Sequence, residues 1–592
     1  MTTVEHILPA HQHEGAARKA EGFATPKQDK KPQCARMLPK RVLPIIFLPG
    51  IMGSNLRMSA QRQKELRQKD NIAWRPDGLG ASNVRKNAKI TPAERQLRLD
   101  PMQTTVDIYD PAGPSAISGD DRHGNVALDE SLRSPLLTTD PATTHNGRTA
   151  VQKARARGWG EVYFKSYGEL LQHLESRLNN TFSEGKLRDA WHDVIDVNPQ
   201  VWNPHPTLPQ QTLTEAELKK TVTGCWFAVY AFGYNWLQSN GDSAKIIAAR
   251  INKVIDELTQ SGYECNRVIV VTHSMGGLVG RALVHAKYGN LQDKVLGIVH
   301  GVMPAIGAPA AYRRMRAGFE DPGMASTSPS VIQASIGAKV AGNYGDEVTA
   351  VLANAQGGLE LLPTECYGNG WLRVRHNGRD LEAWPKQGDP YKEIYKMRGK
   401  WYGLFREDWI NPSGLPPLEG GGTFKRTCEY LEKVQGFHNK IASTYHPSSY
   451  AHYGADPRQQ SFDQVIWDIS NCPNPAGWQN WSVVRDTRQG RLEFSHWDPD
   501  GVNNIGSLPF NEEGPGAVQA TILPASAPGD QTVPAKSADH QLRSGMFRGV
   551  FRQTGYEHQS SYKDPLAIAS TLYSIIRIAQ TRYGSVERNI ER

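Results

Sequence analysis

Val268-Ile-Val-Val-Thr-His-Ser-Met-Gly-Gly-Leu-Val279 is a β-branched run that leads through a serine and two glycines into an apolar segment. The order predicts a strand, a sharp turn and a helix. A serine hydroxyl is a weak nucleophile. To attack, it must sit on a tight turn beside a general base, with small neighbours that let substrate and backbone come close. Gly276 and Gly277 supply that room. A helix starting just after Ser274 would also aim backbone N–H groups and its positive end at a developing oxyanion, with the Met275 N–H as first donor. Thr272 stands where the usual pattern has glycine, which makes a tighter fit. The plain alternative is a scaffold turn with Ser274 inert. Strand, elbow, double glycine and helix together favour the nucleophile.

Reading outward, strand and helix alternate. Val42–Leu48 is an apolar run closed by Pro49-Gly50, Cys225–Ala231 reads as a strand, and Ile247, Ile251, Val254, Ile255 and Leu258 form a helical stripe. Val295–Val299, Ala517–Leu523 and Met546–Phe551 add strands, and a final helix starts with Asp564 as N-cap and Pro565 at its first position. The spacing predicts an α/β fold with a mostly parallel central sheet and right-handed crossovers, of the α/β-hydrolase class. Residues 41–56, 224–309 and 516–592 are assigned to that core, and 1–40 to a flexible N-terminal arm. Residues 57–223 read as a first insertion, although Leu170, Leu171, Leu174 and Leu178 mark a helix face there. Residues 310–515, rich in Gly, Pro and Trp, read as a second. Both are expected to act as caps.

In this class a second oxyanion donor comes from the loop after an early strand, so Leu48-Pro-Gly-Ile-Met-Gly-Ser54 nominates the main-chain N–H of Ile51. The acid and base follow the nucleophile in the order acid, then histidine. Gly529-Asp-Gln-Thr-Val-Pro534 nominates Asp530, and Gly555-Tyr-Glu-His-Gln559 nominates His558. His540 and His496 are rival bases. Glu557 is a substitute acid, poorly placed because it adjoins the base.

The 592 residues carry a net charge of +8 and are 39% hydrophobic, enough for a large core. The first residues break every apolar run with a charge or histidine, so no Sec signal is read and synthesis in a cytoplasm is expected. No apolar stretch reaches bilayer length, which leaves peripheral membrane contact. Six scattered cysteines without CxxC pairing argue against zinc and a disulfide framework. His273 and His300 lack partners at ligand spacing and are read as structural. No cofactor is expected, and nothing in the sequence indicates calcium. Phosphate-loop, dinucleotide and RNA motifs are missing too, which excludes nucleotide and nucleic-acid readings.

The segments Leu48–Ser54, Tyr234-Asn-Trp236, His273–Gly277 and Gly529–Pro534 resemble the lipases related to lecithin–cholesterol acyltransferase and the GPI inositol-deacylases. Gly158-Trp-Gly-Glu161 and Ser166-Tyr-Gly168 narrow the resemblance to bacterial type VI secretion lipase effectors. The resemblance implies a phospholipase that acts on a membrane surface after secretion into the periplasm of a target cell. It also implies a cognate immunity protein and a secretion-apparatus component as partners. Eight of the 14 Trp lie between Trp371 and Trp497, which suits either a lid at a membrane interface or plain core packing. A soluble small-ester esterase and a non-catalytic lipid- or protein-binding module are the competing functions.

Overall fold

Six strands form the central sheet: β1 (Ile45–Leu48), β2 (Val229–Ala231), β3 (Val268–His273), β4 (Val295–Gly301), β5 (Ser449–Gly454) and β6 (Phe547–Gln553). They lie in the order β2-β1-β3-β4-β5-β6, and every pairing is parallel. The computed structural model describes residues 39–78, 90–132, 134, 136–140, 147–183, 185–319, 341–416, 422–494 and 518–582. Ahead of these it gives only the backbone of short strands between residues 4 and 37. Most of the expected arm at 1–40, and His496 and Trp497, lie outside the described residues.

Strand β1 and the first four residues of β3 are apolar throughout because both faces of the sheet are covered. Side chains alternate between two cores. Ile45, Phe47, Ile269 and Val271 enter one, and Ile46, Leu48, Val268 and Val270 enter the other. On the first face pack α1 (Phe164–Asn179) and α4 (Pro565–Gln580), and on the second α2 (Asn240–Gln260) and α3 (Gly276–Val284). Each fully buried Leu or Ile contributes about 1.5–3 kcal/mol. At the head of α4, Asp564 accepts the N–H groups of Leu566 and Ala567 at 2.9 and 3.1 Å.

Four placements differ from the sequence reading. Cys225–Ala231 is two short strands, Cys225–Trp226 and Val229–Ala231. Helix α1, expected within a cap, buries Leu170, Leu171, Leu174 and Leu178 on the central sheet. Strand β5 lies inside the stretch read as the second insertion. Its sequence, Ser-Tyr-Ala-His-Tyr-Gly, has no aliphatic run to announce it. Conversely, Gln519–Ile522 does not rejoin the central sheet. It pairs antiparallel with Val465–Ser470 and Arg491–Phe494 in a second six-stranded sheet.

The core of this second sheet is aromatic. Trp401 packs edge-on against Trp467, Trp478 and Phe494, and Trp384 stacks on Tyr402 at 4.9 Å. Trp371, Trp384, Trp401, Trp409, Trp467 and Trp478 are all buried. Among the described residues, no helix is long and apolar enough to cross a membrane.

Candidate active site

The end of β3 turns sharply into α3, and Ser274 takes the turn at φ 52°. A non-glycine residue in that region costs on the order of 1–3 kcal/mol and persists only where its surroundings enforce it. Here the Ser274 N–H donates to Gly301 O at 2.9 Å, and the Gly277 N–H donates to Ser274 O at 2.9 Å. A Cβ on Gly276 would stand 2.5 Å from the carbonyl oxygens of Leu48 and Pro49, so glycine is what lets the elbow press against the end of β1. Thr272 fits because Gly280 of α3 faces it. A Cβ on Gly280 would come within 3.2 Å of the Thr272 methyl.

Two late loops meet this elbow. His558 Nε2 lies 2.8 Å from Ser274 Oγ, and His558 Nδ1 lies 2.8 Å from Asp530 Oδ2. Asp530 is fully buried, and Ser274 and His558 are 5% and 8% exposed. The acid loop is fixed independently of the histidine. Ala527–Gly529 pairs with Asp456–Ser461, and the Asp530 N–H donates to Ser461 Oγ at 3.1 Å. Asp456 in turn accepts the Gly555 N–H at 3.0 Å, and the His558 N–H donates to Asp530 O at 2.8 Å, so both loops are tied to each other. Of the rivals, Glu557 is engaged elsewhere. Glu557 accepts the N–H groups of Gln559 and Ser560 within its own loop, and His540 lies in a 3-10 turn after the acid loop.

The loop after β1 completes the cluster. A Cβ on Gly50 would meet Ser274 Cβ at 3.0 Å, so the backbone next to Ile51 runs directly over the serine. Tyr234 Oη donates to Pro49 O at 2.7 Å and Trp74 Nε1 to Met52 O at 2.7 Å, which holds the loop from both ends. Among the described residues no backbone carbonyl accepts the N–H of Ile51 or of Met275.

Sequence reasoning passed over Tyr167 and took His273 as structural, yet both touch this assembly. His273 Nε2 lies 2.9 Å from His558 O, and its Nδ1 lies 3.1 Å from Tyr167 Oη. The signal was present in the Ser166-Tyr-Gly168 motif. Gly158-Trp-Gly-Glu161 also has a local role. Glu161 accepts from Arg250 at 2.8 and 2.9 Å and from the Gly233 N–H at 3.1 Å, and its carbonyl accepts the Asn55 N–H just beyond the β1 loop. His300 packs between the rings of Tyr445 and Phe547, and burial pushes it down to about 3. Among the described residues no group of three or more His, Cys, Asp or Glu is placed to hold a metal.

No family model and no curated relative matches the chain. Among solved structures it is similar to the crystal structure of the Tle4–Tli4 complex, with 29% identity over 91% of this chain and 99% of that chain and a TM-score of 0.68.

Proposed function

We propose that the chain is a serine lipase of the α/β-hydrolase class that cleaves the acyl esters of membrane phospholipids, with phospholipase A specificity. The observation that carries this is the Ser274–His558–Asp530 relay, two contacts of 2.8 Å on a strained strand-to-helix turn. Similarity to Tle4, a type VI lipase effector whose structure was solved with its immunity protein, supports a lipase effector at the family level.

In this reading Asp530 holds the His558 Nδ1–H. Nε2 takes the Ser274 proton as Oγ attacks the ester carbonyl. The N–H groups of Ile51 and Met275 stabilise the tetrahedral oxyanion. Collapse expels the alcohol, protonated by His558, and leaves an acyl-serine. Water, deprotonated by the same imidazole, then releases the fatty acid.

The likeness supports an immunity protein as partner in the producing cell; to this we add a phospholipid surface as substrate and a component of the type VI apparatus that delivers the chain to a target-cell periplasm. The segments outside the central layers, the second sheet above all, act as caps that control access to Ser274.

The test is Ser274→Ala. Phospholipid hydrolysis and fluorophosphonate labelling should both fall by several orders of magnitude, because the nucleophile is gone. Labelling at the wild-type rate in that variant would refute the assignment. A wild-type protein that fails to label would favour a binding module instead.

A further inference from the structure

The proton positions around His273 can be worked out from its partners. Its Nε2 faces the main-chain oxygen of His558 at 2.9 Å, and a carbonyl only accepts, so Nε2 carries the hydrogen. Nδ1 faces Tyr167 Oη at 3.1 Å. The tyrosine oxygen is itself approached by two donors, the Gly50 N–H at 3.3 Å and the Gln559 side-chain amide at 3.5 Å. Its own hydrogen is therefore best given to Nδ1, which must then be unprotonated. Burial, which holds His273 well below the usual imidazole range, agrees with a neutral ring. Gly50 adjoins the oxyanion loop and His558 is the base. The first turn of α1 grips the base loop a second time, through Ser166 Oγ and the Gln559 side-chain amide at 2.8 Å.

We propose that Tyr167 and neutral His273 are positioning residues for the acyl-transfer reaction. They form a one-way hydrogen-bond chain, Gly50 N–H to Tyr167 O–H to His273 to His558 C=O, that locks the oxyanion loop and the base loop in register with Ser274. The inference rests on the serine-hydrolase reading above. It explains the Ser166-Tyr-Gly168 motif, since the phenol at 167 both accepts from the oxyanion loop and donates to the elbow. Neither residue touches the reacting atoms, so the effect falls on geometry. Misplacement of about 1 Å costs on the order of 100-fold in rate.

Tyr167→Phe removes the link while keeping the ring, and His273→Gln keeps a donor toward His558 O. Both are compared with wild type on a monomeric p-nitrophenyl ester and in the rate of fluorophosphonate labelling, per folded molecule. Tyr167→Phe should lower kcat and the labelling rate about 10- to 100-fold with KM little changed. His273→Gln should retain more activity than His273→Leu. A wild-type labelling rate in Tyr167→Phe, with Ser274→Ala unlabelled, overturns this inference and leaves the triad standing. Labelling of Ser274→Ala at the wild-type rate overturns both. Should the variants fail to fold, nitrogen NMR of 15N-histidine-labelled wild type decides. A His273 ring in the neutral Nε2–H form from pH 6 to 8 supports the chain, and a protonated or Nδ1–H ring overturns it.

Discussion

His558 Nδ1 meets only one oxygen of Asp530, because the other accepts the backbone N–H groups of Thr532 and Val533 at 3.1 and 2.7 Å. The carboxylate cannot swivel without abandoning those donors. In Asp530→Asn the amide oxygen must stay on the backbone side, which turns the NH2 group toward Nδ1. The imidazole is then forced into the Nε2–H tautomer and cannot take the serine proton. Turnover of a soluble ester should fall by about 10⁴-fold with KM nearly unchanged. A loss of less than tenfold would mean that Asp530 is not the acid.

A stability prediction follows from the buried histidines. Burial pushes His300, His438 and His452 down to about 3, and His123 and His446 to about 4, and holds His273 well below the usual range. Each is neutral in the fold but protonated in the unfolded chain below about pH 6.5. Their stabilisation is whole above that pH and is lost as pH falls toward the folded values. Glu360 acts in the opposite sense. Burial pushes it up to about 8 from 4.5, so it is protonated in the fold, and raising the pH through that window destabilises. Burial raises Asp77, Asp100 and Glu161 in the same sense, but six histidines outweigh four acids, since each group contributes at most about 1.4 kcal/mol per pH unit. Tm should drop steeply between pH 7 and pH 5, with several protons taken up on unfolding in calorimetry. A flat Tm over that range would contradict the neutral, buried assignment.

The segments carrying Ser274, Asp530 and His558, which the fold brings together, were legible because each couples a chemical residue to turn geometry: Ser274 to Gly276 and Gly277, Asp530 to a Gly-Asp turn, His558 to the loop before a well-capped helix. Strand β5 was not legible. Its Tyr450, His452 and Tyr453 are buried by partners distant in sequence, so tertiary contact rather than local pattern makes it a core strand. Gln519–Ile522 misled for the converse reason, since a short apolar alternation states that a strand exists but not which sheet it joins. The motif marked Tyr167, but its contact was hidden by distance. Its partner His273 lies 106 residues away, and only the fold reveals that one phenol serves two loops.

The tryptophans of the second sheet separate core packing from membrane contact. Trp401 is 6% exposed and donates Nε1–H to Trp478 O at 2.7 Å amid four aromatic neighbours. Trp401→Ala should cost about 3–5 kcal/mol, read as a lowered denaturation midpoint. If instead it weakens vesicle binding with no change in midpoint, the ring is an interfacial anchor.

Access to the serine supplies the last prediction. Ser274 and His558 are 5% and 8% exposed and Asp530 not at all, so in the proposed reading a phospholipid chain enters through a motion that uncovers the elbow. The proposed caps border the acid loop. Arg314, on the helix Ala310–Ala317 that follows β4, donates to Thr532 Oγ1 at 2.9 Å, two residues beyond the acid. The strand Gln519–Ile522 leads directly into the acid loop from the second sheet. Wholesale removal of that sheet would therefore disturb Asp530 as well as the entrance, and the question has to be put to the intact chain. A lipid surface that binds the open form better shifts the population toward it, by no more than its differential affinity for the two forms. The rate per enzyme on a short-chain phospholipid should accordingly rise abruptly as the substrate passes from monomers to aggregates. Fluorophosphonate labelling of Ser274 should quicken when substrate-free vesicles of a non-hydrolysable ether phospholipid are added. A labelling rate indifferent to vesicles, with a smooth rise in turnover through the aggregation point, would show an entrance open in water and would support the soluble esterase instead.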